Sequence, residues 1–264
     1  MSGNVADGAA DSTRMDTALA LAAEFRAVLR YAIDAMPQRV TPFSPDAILS
    51  YVLQGMTASV HGSFEGAILL CSKGWGLEAD VLLRQMLEAV VNLRAIKRSP
   101  SALYTYVAEI EREADSGAGK ESASDRNAPP SPTHILGPPP ANDSVAWYQT
   151  GKRKGERRLW KTLSMAERIR LADLEADTWY GFYQRLCKGV HAVPISLPYY
   201  LIRTPPSATM PFAIWFGPNW QAAFRAVGTA CALLLVHIGT ISSAFSIQLH
   251  REISELGERL QMLR

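Results

Sequence analysis

The sequence predicts an all-α fold, a bundle of about seven helices with one small extended excursion. Long segments repeat apolar residues every three or four positions, which is the spacing of one helical face. Proline and glycine divide these segments, and only one proline-rich stretch favours strands. The 264 residues are 48% hydrophobic and 20% charged, with a net charge of +2. This composition is typical of a globular protein and argues against general disorder and against a histone-like basic partner.

Four helices are predicted in the first 115 residues. Residues 13–36 form the first, because their apolar residues follow the spacing of one face and Pro37 ends it. Ser44 and Pro45 are typical of the N-cap and the first position of a second helix, which we expect to reach Ser72. The third and fourth helices are predicted at 77–98 and 101–115.

Two segments of the chain have no helical pattern. Residues 116–145 are rich in glycine, proline and serine and have almost no apolar periodicity, so we expect a flexible insertion. Residues 1–12 contain small and acidic residues, and we expect a disordered N-terminus there. The remaining residues, 13–264, are predicted to form a single helical domain that carries the insertion.

Helical spacing returns in the second half of the chain. Ser164 and Glu167 match a capping box for a helix over 165–174. A helix over 176–188 is predicted next, and Gly189 is expected to end it as a left-handed cap.

The last seventy residues combine a proline-rich stretch with one long helix. Six prolines between 192 and 219 exclude a long helix there, so we expect two short extended pieces at 199–203 and 212–216. A final helix is predicted from Trp220 to Leu263. An apolar stripe near its end would extend beyond the core and predicts a homodimer. The stripe consists of Leu249, Ile253, Leu256, Leu260 and Leu263.

Residues 226–249 contain no acidic or basic residue other than His237 and are about long enough to cross a bilayer. A charged amphipathic tail follows them, so a buried core helix is favoured over a transmembrane one and no membrane partner is expected. The N-terminus has no export signal, which favours a cytoplasmic protein.

Cys71, Cys187 and Cys231 lie in apolar helical stretches, which favours small buried side chains. They are too few for a disulfide framework or a zinc site, and we expect no metal and no cofactor.

A polar stripe crosses the third predicted helix. Arg84, Glu88 and Asn92 recur every four residues between apolar neighbours, so a bundle would bury them. A buried arginine needs a partner, and Glu88 is the natural one. One interpretation is an ion pair that serves packing only. The other is a polar pocket between helices.

A second cluster occupies residues 179–191, WYGFYQRLCKGVH. Tyr180 and His191 lie on a stripe beside an apolar face that includes Tyr183. If the helix ends at Gly189, His191 lies in a turn with an accessible imidazole. The alternative is a structural histidine.

These two clusters resemble the DUF5677 family of uncharacterised bacterial proteins. In that family a helix with an L-R-x-x-x-E pattern precedes a Y-x-x-Y-x-x-x-S-x-x-x-H-like segment. The resemblance covers roughly residues 50–200 and departs from the pattern at Cys187 or Lys188, where a serine is expected. It implies an all-helical fold, and the family has no assigned activity. The matching residues are Arg84, Glu88, Tyr180, Tyr183 and His191.

The second cluster is also similar to HEPN-type helical ribonucleases, whose motif is an arginine, four to six residues, and a histidine. Arg185 and His191 match this spacing. The resemblance implies that His191 acts on the 2′-hydroxyl or the leaving group and that Arg185 stabilises the phosphate, without a metal. A basic run nearby could contact RNA phosphates with Trp160 stacking on bases, and a solvated surface is the alternative. The run comprises Lys152, Arg153, Lys154, Arg157, Arg158 and Lys161.

Two functions from different classes stay open. The first is a metal-independent ribonuclease of a bacterial defence or toxin system, acting on RNA and not on DNA. The second is a non-catalytic helical interaction protein whose polar residues fix packing. In the first, Arg185 and His191 are catalytic and a polar pocket supports them. That pocket would consist of Arg84, Glu88, Asn92, Tyr180 and Tyr183.

Overall fold

The computed structural model of the chain describes residues 4–37, 44–117, 131–137, 160–190, 201–203, 212–214 and 218–263. The all-α prediction is confirmed, with nine α-helices in these described residues against about seven expected. They are α1 (Asn4–Asp34), α2 (Pro45–Cys71), α3 (Gly76–Arg98), α4 (Pro100–Gly117), α5 (Pro132–Leu136), α6 (Met165–Leu171), α7 (Ala176–Val190), α8 (Trp220–Phe245) and α9 (His250–Met262). A 3₁₀ helix spans Trp160–Thr162, and the strands are β1 (Leu201–Arg203) and β2 (Phe212–Ile214).

Several helices begin at the capping residues that the sequence predicts. The Ser44 hydroxyl accepts a backbone N–H from the first turn of α2 at 3.1 Å. The capping box of α6 forms, since Ser164 accepts the Glu167 N–H and the Glu167 carboxylate accepts the Ser164 N–H at 2.7 Å. The two extended pieces pair antiparallel with Ile202 opposite Ala213, which confirms the extended excursion.

The first helix starts earlier than predicted. Helix α1 begins at Asn4, so the disorder expected over residues 1–12 is wrong from Asn4 onward. The segment is rich in alanine, which has the highest intrinsic helix propensity and continues the helix backward from its periodic part. Residues 1–3 lie outside the described residues.

Helix α5 lies inside the insertion that was predicted to be flexible. Ser131 caps it by accepting a backbone N–H. The Glu111 carboxylate of α4 holds Thr133 through its N–H at 3.1 Å and its hydroxyl at 2.6 Å. The expectation of no structure over 116–145 is therefore wrong for residues 131–137. The parts at 118–130 and 138–145 lie outside the described residues.

The long final helix predicted over 220–263 is two helices. Ser246 adopts a left-handed conformation, φ +55°, which ends α8. The Ser242 hydroxyl donates to the Ile247 carbonyl at 2.6 Å, and the Ile247 N–H donates to the Ser242 carbonyl. These bonds close a turn after which α9 packs against α8 and α1.

This turn changes the meaning of the leucine stripe. Leu249, Leu256 and Leu260 are buried because α9 packs on the helices of its own unit. Ile253 and Leu263 are half-buried, so most of the stripe packs in the core and the expectation that it extends beyond the core is wrong for Leu249, Leu256 and Leu260. Homodimer formation stays a prediction that this stripe no longer supports.

The residues divide into two compact units, and the single-domain prediction stays a prediction. Unit 1 contains α1, α8, α9, both strands and parts of α2, α3 and α7; unit 2 contains α4, α5, α6, the 3₁₀ helix and the other parts of those three helices. Unit 1 comprises Met1–Met36, Thr57–Val90 and Gly181–Arg264, and unit 2 comprises Pro37–Met56 and Val91–Tyr180.

Helix α8 forms the centre of unit 1. Among the described helices, it is the one long and apolar enough to cross a membrane by length and composition. Within its most apolar window, 61% is buried inside the protein, which favours the core helix that the sequence predicts. Gly76 at the start of α3 lies directly against the α8 backbone, where a Cβ would overlap Ala222 and Ala223.

Candidate functional site

Arg84 and Glu88 pair along α3 as expected. The Arg84 Nε donates to a Glu88 carboxylate oxygen at 3.1 Å. The side chains are 27% and 34% exposed, so the expectation of a buried pair is wrong. A partly exposed pair at this spacing stabilises a helix by only about 0.5 kcal/mol. The pair therefore contributes little to packing and stands where solvent reaches it.

Helix α7 brings Tyr183 to this pair. The Arg84 Nη2 donates to the Tyr183 hydroxyl at 3.4 Å, and the guanidinium carbon lies 5.5 Å from the centre of the tyrosine ring. Cys187 follows one turn later on α7, and its side chain shares a hydrogen bond with the Tyr183 hydroxyl. Four side chains from α3 and α7 thus meet in unit 1. We call Arg84, Glu88, Tyr183 and Cys187 the arginine cluster.

The arginine cluster shifts the pKa values of its members. Burial raises the pKa of Tyr183 most, the Cys187 hydrogen bond adds to this, and the Arg84 charge opposes it. Burial lowers the pKa of Arg84, but the Glu88 hydrogen bond and the neighbouring Tyr183 and Cys187 outweigh it and leave that pKa raised. Arg84 is therefore a permanent cation beside a neutral phenol at neutral pH.

Asp80 extends the polar stripe by one turn and was missed from the sequence. It is four residues before Arg84, which is the spacing that singled out Glu88, so the same pattern could have found it. Its side chain is buried, and burial raises the pKa of Asp80 to about 6 while Arg225 opposes the shift and Glu78 adds to it. This carboxyl therefore titrates close to neutral pH.

Asn92 and Tyr180 are not part of the arginine cluster. Both belong to unit 2, where Asn92 accepts a hydrogen bond from Arg168 at 3.5 Å and Tyr180 is partly exposed. Of the five residues of the predicted pocket, Arg84, Glu88 and Tyr183 contact one another within unit 1, and the pocket of five stays a prediction.

Arg185 and His191 are only half described. Arg185 is exposed on α7, with its guanidinium 5.5 Å from the Phe182 ring centre. Helix α7 continues through Gly189 to Val190, so the predicted left-handed cap at Gly189 is wrong. His191 follows directly and lies outside the described residues.

The basic run also lies almost wholly outside the described residues. Lys152, Arg153, Lys154, Arg157 and Arg158 all precede residue 160, where the description resumes.

Trp160 itself is buried, so the expectation that it could stack on bases is wrong. It meets Tyr106 edge to face at 5.7 Å, and the Arg168 guanidinium lies 5.4 Å from its ring centre. The Lys161 N–H donates to the buried Glu109 carboxylate at 2.8 Å.

The cysteines divide into two kinds. Cys71 and Cys231 are fully buried, and burial raises the pKa of each thiol to about 12, so both are inert small side chains as predicted. Cys187 is only half-buried and belongs to the arginine cluster, so the buried placement predicted for it is wrong. In the described part of the chain, no three histidine, cysteine or acidic side chains are grouped to hold a metal ion.

His237 on α8 is the most unusual polar group in unit 1. It is completely buried, and neither ring nitrogen has a hydrogen-bond partner. Burial therefore lowers the pKa of His237 to about 3 and keeps it neutral. The sequence showed it only as a polar residue in an apolar run.

Comparison with known proteins gives one match. A family model described as a family of unknown function, DUF5677, matches residues 50–207. This span contains the whole arginine cluster and Asp80 as well as Arg185 and His191. Neither curated proteins nor solved structures gave a match.

Proposed function

Because this chain belongs to the DUF5677 family, whose function is unknown, we propose a function from its own side chains: metal-independent cleavage of RNA at the arginine cluster. The observation that carries the proposal is the position of Arg84. Its guanidinium is partly exposed, oriented by Glu88 and accompanied by the Tyr183 hydroxyl. A guanidinium beside a hydroxyl is a suitable donor pair for phosphate oxygens.

The pairing with Glu88 supports a binding role. A carboxylate on Nε fixes the plane of the guanidinium, so less side-chain entropy is lost when a phosphate binds. The contact with the Tyr183 ring holds the same group from a second helix. Arg84 is thus arranged in advance, as electrostatic stabilisation of a transition state requires.

The reaction needs a group that moves protons, and His191 has that role in the proposal. His191 follows α7, the helix that carries Tyr183 and Cys187. It would take the proton of the 2′-hydroxyl while the 2′-oxygen attacks phosphorus. The bond from phosphorus to the 5′-oxygen then breaks, which leaves a 2′,3′-cyclic phosphate, and the departing 5′-oxygen takes a proton from water. Arg84 and Arg185 would stabilise the negative charge on the phosphate during this step.

A second candidate, a non-catalytic interaction protein, is favoured by a different observation. Arg84 is satisfied by Glu88 and Tyr183, and Asn92 is satisfied by Arg168. Polar groups that already have partners fix helix packing without a ligand. In this case the arginine cluster only positions α3 against α7.

Cleavage of labelled RNA in the presence of a chelator distinguishes the two. We expect the wild type to cleave and the variants His191→Ala, Arg185→Ala and Arg84→Ala to lose cleavage while keeping a cooperative melting transition. Arg251→Ala is the matched control, because Arg251 is an exposed arginine that forms an ion pair with Glu255 on the same helix. Absence of cleavage by folded wild type across several RNAs would leave the interaction protein as the function.

A further inference from the structure

Unit 2 contains a cavity of about 190 Å³ that shares no residue with the arginine cluster. Its walls come from the N-terminal ends of α2 and α4 and from the C-terminal ends of α3 and α5. Most of the lining is apolar. The buried side chains of Ile96 and Leu103 contribute to it, together with the half-buried side chains of Leu49 and Leu136.

The charges around the cavity oppose one another. The N-terminal ends of α2 and α4 carry partial positive charge, and the C-terminal ends of α3 and α5 carry partial negative charge. The Lys97 ammonium and the Asp46 carboxylate have opposite full charges. Lys97 and Tyr104 also have interactions of their own within the protein. A charged ligand would therefore lose hydration here without a net opposite charge to replace it.

The size of the cavity limits its ligand. Cavities for drug-sized molecules usually measure about 300–1,000 Å³, whereas an apolar cavity of about 150 Å³ can hold benzene. Apolar walls offer a water molecule few hydrogen-bond partners. The cavity in unit 2 therefore fits an apolar body about as large as one aromatic ring, with one small substituent.

We propose that this cavity binds a neutral molecule of about the size of one aromatic ring, held by apolar contact with its leucine and isoleucine side chains. Transfer of an apolar ring from water to such walls is favourable in proportion to the area buried. Because the charges around the cavity oppose one another, neither an acid nor an amine gains enough to offset its dehydration. The ligand class is thus a small ring alcohol or an unsubstituted ring.

Helix α5 completes the cavity and is held by a carboxylate of α4. Leu136 and the C-cap residue Gly137 bring the end of α5 into the lining. The Glu111 carboxylate accepts hydrogen bonds from the Thr133 N–H at 3.1 Å and from the Thr133 hydroxyl at 2.6 Å. Because this wall depends on that contact, a weaker contact should also weaken ligand binding.

The test is calorimetric titration of the full chain at pH 7 with three compounds of similar shape. Benzyl alcohol is neutral, benzylamine is a cation and benzoate is an anion. We expect benzyl alcohol to bind at least about tenfold more tightly than either ion, because burying a charge without a net opposite charge costs more than that factor.

Two charge variants test the balance itself. Lys97→Met keeps the hydrocarbon stem and leaves the Asp46 charge unopposed, so benzylamine should bind more tightly. Asp46→Asn leaves the Lys97 charge unopposed, so benzoate should bind more tightly. Neither variant should change the dissociation constant of benzyl alcohol, because that ligand has no net charge.

The ligand is located by variants of the wall. Leu136→Trp fills the cavity from α5 and should abolish binding of benzyl alcohol. Leu69→Trp is the matched control, because Leu69 is 65% exposed and belongs to unit 1, so binding should be unchanged. If Leu136→Trp folds poorly, Thr133→Val replaces it: the variant removes one of the two bonds to Glu111 and should weaken binding several-fold.

The proposal is wrong if folded wild type does not bind benzyl alcohol at millimolar concentration, or binds either ion as tightly. Binding of benzyl alcohol that the wall variants leave unchanged would place the ligand outside this cavity and would also overturn the proposal. RNA cleavage is measured on residues of unit 1, so these outcomes are independent of the proposed ribonuclease activity.

Discussion

His237 offers the sharpest test of the unit 1 core. Its imidazole is completely buried on α8 with both ring nitrogens unpaired. Replacing it by leucine removes two unsatisfied polar atoms and keeps a side chain of similar bulk. We expect His237→Leu to raise the free energy of unfolding at pH 7 by about 1–3 kcal/mol, the usual cost of an unpaired buried polar group.

The pH dependence of the free energy of unfolding gives a second and more specific test of the buried imidazole. The ordinary pKa of this histidine is 6.5, and burial lowers it to about 3 in the folded protein. As the pH falls below about 6.5, the unfolded chain binds a proton that the folded protein does not, so folding stability falls. Between pH 7 and pH 5 this difference costs about 2 kcal/mol, and the loss continues until the pH reaches about 3. His237→Leu has no such loss.

Titration of Asp80 changes the folding stability in the opposite direction, so Asp80→Asn serves as the matched variant. Its pKa rises from 3.8 to about 6 in the folded protein, so folded protein takes up the proton at a higher pH than the unfolded chain. This group therefore adds stability as the pH falls through about 6 and removes it as the pH rises. Between pH 7 and pH 5 the gain is about 1 kcal/mol. In the wild type the Asp80 gain offsets about half of the His237 loss.

The assay is urea unfolding at pH 7 and pH 5, followed by circular dichroism. Relative to the wild type, we expect His237→Leu to gain about 2 kcal/mol on going to pH 5, and Asp80→Asn to lose about 1 kcal/mol. Other titrating groups cancel in these differences. If His237→Leu and the wild type change equally between the two pH values, the buried neutral imidazole is refuted.

Three further predictions concern the rest of the molecule. Arg84→Ala should cost about 1 kcal/mol in urea unfolding, because the pair is partly exposed; a loss of 3 kcal/mol or more would instead indicate a buried ion pair. Gly76→Ala should lower the melting temperature by several degrees or prevent folding, because its Cβ would overlap the α8 backbone; an unchanged melting temperature would contradict that contact. In folded protein Cys187 should react with a thiol reagent, whereas Cys71 and Cys231 should react only on unfolding; three equal rates would exclude the buried placement.

Helix identity and local caps were predictable because their causes lie within a few residues. The periodicity of α2 and α3, the Ser44 cap and the Ser164 capping box depend on neighbours one to four positions away. The Arg84–Glu88 pair belongs to the same category, since its spacing places both side chains on one face of a helix. The missed Asp80 was visible in the same spacing.

Contacts across the chain could not be predicted in this way. The turn at Ser246 depends on a serine side chain and on α9 finding a place on α1 and α8, so composition favoured one continuous helix. Helix α5 forms in a proline-rich segment because Glu111 holds Thr133 from another helix. In both places a tertiary contact outweighs local preference.

The sequence by itself therefore determined the all-α class, most helix ends, the family and the arginine pair on α3. Only the tertiary structure decided that Arg84 meets Tyr183 on α7, that Asn92 is satisfied by Arg168, and that the pair is partly exposed. The physical reason is that spacing places side chains on a face, whereas burial and desolvation depend on what packs against that face. Periodicity therefore predicts the helix face on which a side chain lies, but it does not predict the burial or desolvation of that side chain.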